Sequence, residues 1–154
     1  MLGATHAAAG LSVGLLIASG ARYEEAVLLG GVGVLAALLP DIDHPGSYLR
    51  RRIGLLGVGF FWLRLRGFTH TMMCAALIAA AAMFTLPEAM ALTVMISYAS
   101  HLLMDAMTVS GAPLLWPLVR RNIRLSPIPI RTGSLFEIVF PALTLLICWR
   151  TFIA

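Results

Sequence analysis

Apolar positions along the chain gather into five runs broken by short polar or proline-marked stops. They cover about Thr5–Ser19, Glu24–Leu39, Thr69–Leu86, Glu88–Val109 and Ser134–Phe152. A helix crossing a bilayer needs about 17–25 residues of this kind, so the first run sits at the short limit. Pro40 follows the second run, Pro87 the third, and Ser110-Gly111 the fourth, residues that end helices. The pattern predicts an all-α, polytopic membrane helix bundle of about five transmembrane helices, with interfacial or re-entrant segments. It forms a single domain over residues 1–154.

Two connections are long, Asp41–Phe68 and Gly111–Gly133. The first contains the apolar stretch Ile53–Leu63, too short to span, between Arg50, Arg51 and Arg52 on one side and Arg64 and Arg66 on the other. That arrangement predicts a segment lying in the interface or re-entering the membrane. The second holds Pro113, Pro117, Pro127 and Pro129 with Trp116, and is expected to run along the surface. Tyr48, Trp62 and Trp116 fit an aromatic belt at the interface.

Composition agrees with the pattern. Hydrophobic residues make up 60% of the 154 and charged residues 12%, with a mean hydropathy of +0.92. A soluble domain of this length has too little interior for so much apolar surface. A soluble enzyme, a disordered tail and a nucleic-acid binder with a polar surface are therefore excluded. The apolar run from Ala7 to Ala18 resembles a secretory signal but lacks a basic stretch before it. Cys74 and Cys148 stand alone in apolar runs, which predicts neither a thiolate metal site nor a disulfide framework.

All eleven basic residues are arginine. With five crossings, Arg50, Arg51, Arg52, Arg64, Arg66, Arg120, Arg121, Arg124 and Arg131 fall on the side of the N-terminus, and only Arg22 and Arg150 on the other. Cytoplasmic loops are enriched in Arg and Lys, so the N-terminus is expected in the cytoplasm and the C-terminus outside.

The same alternation places the chemistry. His6 opens the first helix; Asp41, Asp43 and His44 follow the second; His70 opens the third; His101 and Asp105 lie late in the fourth; Glu137 is near the start of the fifth. All eight fall toward the Arg-rich face. His101 and Asp105 are four residues apart and share one helix face, about 6 Å apart along the axis. A carboxylate in a spanning helix needs a partner, and a divalent cation is an efficient one. Nitrogen and oxygen donors without sulfur suit zinc first, with manganese or iron as alternatives, as one or two ions. Simpler readings stand beside this one. Asp41-Ile42-Asp43-His44 also fits an acidic turn. Thr5 and Thr69 fit N-caps. His101 and Asp105 fit an interhelical hydrogen bond. Glu137 in Ser134-Leu-Phe-Glu137 fits a capping box as well as a ligand role.

At Thr5-His6, Leu39-Pro-Asp-Ile-Asp-His-Pro45, Arg66-Gly-Phe-Thr-His-Thr71 and Ser100-His-Leu-Leu-Met-Asp105 the chain resembles the LexA-regulated, membrane-bound, metal-dependent hydrolases of the YdjM type. Thr108, Gly111, Trp116-Pro117 and Thr132-Gly133-Ser134 with Glu137 extend the resemblance over most of the chain. Members often carry His-Arg-Gly before the Thr-His pair; here Leu65 stands in place of that histidine. The resemblance implies an enzyme, a metal-dependent hydrolase at the cytoplasmic interface acting on a lipid or lipid-linked phosphoester or ester. His6, Asp41, His70, His101, Asp105 and Glu137 are the candidate metal ligands. Asp43 and His44 are candidate base or orienting groups, and Arg66 is a candidate for stabilising developing negative charge. The expected partner is a membrane lipid substrate, with no nucleic acid, and a homo-oligomer is compatible. The alternative function is a metal-ion transporter or a metal-stabilised membrane scaffold without catalysis.

Overall fold

A computed structural model describes residues 1–43 and 67–153. The described residues are all-helical in their regular structure: α1 Gly3–Ile17, α2 Tyr23–Leu38, α3 Met72–Thr85, α4 Glu88–Ala106 and α5 Phe136–Ile153. Short 3-10 turns cover Leu39–Asp43 and Phe68–His70. The five helices match the five apolar runs, with α1 starting and ending two residues earlier than the pattern suggests. The stretch Ile53–Leu63 lies outside the described residues.

Helices α1, α2 and α4 form the centre, α3 packs on α4, and α5 packs on α1. Glycine decides how closely α1 and α2 approach. A Cβ at Gly10 would lie 2.2 Å from the Gly33 carbonyl oxygen, and one at Gly33 would lie 2.0 Å from that of Gly10. Gly14 faces Leu29 in the same way, at 2.2 Å. The two helices are therefore antiparallel and in backbone contact. Small residues four apart produce this contact where lipid, not water, surrounds the bundle.

The interior is correspondingly small-sided and the exterior large. Ala8, Ala9, Ala36, Ala37, Ala91 and Ala106 are buried, while Leu35, Leu77, Phe84, Leu143 and Ile147 are exposed. A soluble domain buries its large apolar residues; this inversion fits an apolar solvent. The helix Glu88–Ala106 and the stretch Tyr23–Ile42, which joins α2 to its 3-10 turn, are long and apolar enough to cross a membrane. Gly3–Ile17, Met72–Thr85 and Phe136–Cys148 are shorter apolar helices.

Between α4 and α5 the chain holds only isolated bridges, Thr108 with Ile130 and Ala112 with Ile123. Gly111 turns at φ +65°, and a Cβ there would meet the Ile123 carbonyl oxygen at 2.6 Å, so the turn requires glycine. This loop does more than run along the surface. The Leu114 carbonyl accepts from the Met72 N–H at 2.9 Å, and Trp116 packs edge-on against Phe68 at 6.3 Å. It thereby pins the start of α3, where His70 lies.

Candidate metal centre

Each donor reaches the centre through a local feature of its helix. Pro40 tightens the end of α2 into the 3-10 turn that carries Asp41. Pro40 has no N–H to offer the Ala37 carbonyl three residues back. That carbonyl instead accepts from Nδ1–H of His101 at 2.6 Å. The bond fixes the ring, leaving Nε2 with its lone pair facing Asp105, as in protein metal sites where the second ring nitrogen of a ligand histidine is tied to a carbonyl. His70 sits in the 3-10 turn ahead of α3. Thr71, not Thr69, caps that helix, accepting from the Cys74 N–H at 3.1 Å. Thr69 instead lies 3.2 Å from Nδ1 of His70, and its carbonyl accepts from the Tyr98 hydroxyl at 2.6 Å.

His6 lies in the first turns of α1, whose N-cap Leu2 offers no side-chain bond. Thr5 is no cap either; its hydroxyl donates to the Glu137 carbonyl at 3.4 Å. That carbonyl is free because Pro141, four residues on inside α5, has no N–H. A proline in one helix thus opens a docking point for the residue beside a candidate ligand in another.

The donors converge. His70 Nε2, His101 Nε2 and Asp105 Oδ2 form a triangle with sides of 3.3, 3.4 and 3.5 Å. Zinc bound tetrahedrally at about 2.0–2.1 Å holds its ligand atoms about 3.3–3.4 Å apart. Asp41 Oδ1 lies 3.7 Å from His70 Nε2 and 3.9 Å from His101 Nε2, beside the edge those two nitrogens share. His6 Nε2 lies 3.2 Å from the other oxygen of Asp105, Oδ1, which also accepts from the Met1 amine at 2.6 Å. The His6 ring stacks on that of His101, with centroids 3.7 Å apart. It is 1% exposed, and neither of its nitrogens has a hydrogen-bond partner of acceptable angle. A buried imidazole 3.2 Å from a carboxylate, with neither nitrogen in a hydrogen bond of acceptable angle, is compatible with a ligand role. The donor set, its edge lengths and this orphaned ring together fit a divalent metal.

His6, Asp41, His70, His101 and Asp105 are therefore brought together. Glu137 is elsewhere: it is buried and accepts from the backbone N–H groups of Leu2, at 2.7 Å, and Gly133. Its oxygens tie α1 to the start of α5, and the capping pattern is displaced by one residue, with Gly133 in the donor role expected of Ser134. Asp43 ends the 3-10 turn; its side chain, and all of His44, Leu65 and Arg66, lie outside the described residues. Sequence reasoning missed Tyr98, whose position three residues before His101 puts it on the same face, and the Gly10/Gly14 spacing that signals close helix contact.

The family model described as YdjM inner membrane protein matches residues 1–153. The chain belongs to the YdjM family. Among its curated relatives, YvsG of Bacillus subtilis is 34% identical over 155 residues, 97% of this chain and 93% of that protein. The inner membrane protein YdjM of Escherichia coli is 37% identical over 111 residues, as is that of Shigella flexneri. Those alignments cover 68% of this chain and 56% of each relative, so the chain spans just over half the length of these two. No solved structure matches. YdjM membership and the inside-out packing agree: this is a protein of the bacterial inner membrane.

Proposed function

We propose that this YdjM-family protein is a multi-pass, metal-dependent hydrolase that cleaves a phosphoester or ester of a membrane lipid at the cytoplasmic leaflet. One observation carries the reading: the His70, His101 and Asp105 donors form a triangle with the edges of a zinc coordination face. Zinc is the preferred ion, with manganese or iron as alternatives. The N-terminus lies in the cytoplasm and the C-terminus outside, following the arginine distribution.

His70, His101 and Asp105, with Asp41 beside them, would hold the ion. When bound, the metal lowers the pKa of a water ligand toward neutrality and polarises the attacked group. The Ala37 carbonyl keeps His101 in the tautomer that presents Nε2. Asp43 or His44 would take the proton of the attacking water, and Arg66, four residues before His70 in the chain, is the candidate for stabilising the charge that develops on the substrate oxygen. A lipid substrate follows from the donors gathering at helix ends, where headgroups lie.

The test is a lipid extract incubated with purified, zinc-loaded protein, with and without chelator, and read by mass spectrometry. A released headgroup or acyl product is expected only with metal. The Asp105→Asn variant should lower the rate at least 100-fold. If folded, zinc-loaded protein releases nothing from any lipid class, the hydrolase reading fails.

A further inference from the structure

The stacking of His6 on His101 limits what one ion can do. An imidazole nitrogen keeps its lone pair in the ring plane, so a bound ion lies in that plane. The two rings are 3.7 Å apart at their centroids and tilted by 21°. Planes so arranged intersect roughly 10 Å away, whereas an ion at zinc–nitrogen distance sits only about 3 Å from the centroid of its ring. One ion therefore does not satisfy both rings. The triangle with His70 and Asp105 Oδ2 claims the plane of His101. His6 is left buried and facing Asp105 Oδ1, with Nε2 3.2 Å from it and no hydrogen bond of acceptable angle at either nitrogen.

We propose that the centre holds two divalent ions, with Asp105 bridging them and His6 binding the second. Oδ2 of Asp105 serves the ion held by His70 and His101; Oδ1 serves the ion held by His6. Asp41 lies beside both rings: its carboxylate is within 4.8 Å of the ligand atoms of His6 and His101, and its Oδ1 is 3.7 Å from His70 Nε2. Two stacked imidazoles addressing the two oxygens of one carboxylate form the framework of a carboxylate-bridged pair, suited to holding both the attacking and the leaving oxygen of a phosphoester.

This inference rests on reading the His70, His101 and Asp105 triangle as a metal centre, and metal counting separates the two. Full-length protein in detergent is loaded with zinc, freed of excess and analysed for zinc per chain. Two ions are expected in the wild type and one in the His6→Ala variant. One ion in the wild type overturns the second site and leaves the single-ion hydrolase intact. No ion in the wild type overturns both. Two ions in the variant also overturn the role of His6. Because His6 is fully buried, its removal can cost the fold, so a second measurement uses the unaltered chain. At saturation with manganese, electron paramagnetic resonance should give the signature of an exchange-coupled pair; the six-line spectrum of isolated ions would overturn the proposal.

Discussion

A buried carboxylate that accepts two backbone N–H bonds is satisfied without an ion. Glu137 meets that condition through Leu2 and Gly133. Replacing it with Ala strands both donors, at a cost of about 1–3 kcal/mol for each buried group left unpaired. Glu137→Gln keeps one accepting oxygen and should cost less. Neither substitution is expected to change the number of zinc ions per chain. Denaturation midpoints in detergent together with metal analysis check this; a folded Glu137→Gln protein that has lost zinc would make Glu137 a ligand. The example also marks what residue types reveal. His6, Asp41, His70, His101 and Asp105 were legible because they are costly in a membrane and alternate with the helices onto one face. Glu137 was ambiguous because one capping pattern fits a ligand and an anchor alike. The deciding partner, Leu2, is 135 residues away and has no polar side chain to announce it.

Helix contacts were legible as helices but not as interfaces. Apolar runs located all five elements, yet gave no pairing, because in lipid a Leu-rich face has no preference for another helix. Pairing came from glycine. The α1–α2 contact sets the distance between His6 on one helix and the Ala37 carbonyl and Asp41 at the end of the other. Gly10→Ala should force the backbones apart, since its Cβ would lie 2.2 Å from the Gly33 oxygen and 2.7 Å from the Ala37 Cβ. Such overpacking costs about 1–3 kcal/mol. Gly31→Ala, on the same helix as Gly33 but with nothing within 4 Å of the new Cβ, is the control. It should be neutral or stabilise by up to about 1 kcal/mol, as expected for Gly to Ala in a helix. Equal midpoints for the two variants would refute a backbone-contact interface. Gly10→Ala should also weaken zinc binding in chelator competition, because α1 carries His6.

At the scale of the molecule, helix length and charge bear on the same question of how the proposed lipid substrate would reach the centre. The 14 residues of α3 extend about 21 Å, against a hydrocarbon core of about 30 Å. The 20 residues from Tyr23 to Ile42 extend about 30 Å and match it. A bundle with long and short members thins the bilayer beside the short ones. Because α3 begins two residues after His70, thinning at that end lowers headgroups toward the donors. The arginines of the loop between α4 and α5, Arg120, Arg121, Arg124 and Arg131, lie on the same side and suit lipid phosphate. On the proposed topology the centre faces the cytoplasm. Native Cys74 and Cys148 are buried, so in a variant with both replaced by Ala, single cysteines report sidedness. Arg121→Cys should react with a membrane-impermeant maleimide only in inverted inner-membrane vesicles. Arg22→Cys should react only in right-side-out spheroplasts. Each arginine on the wrong side would oppose the excess that orients bacterial membrane proteins, which on the proposed five-crossing topology is nine to two. The reverse labelling pattern would put the His–Asp centre on the outer face, and the substrate would then have to come from the outer leaflet.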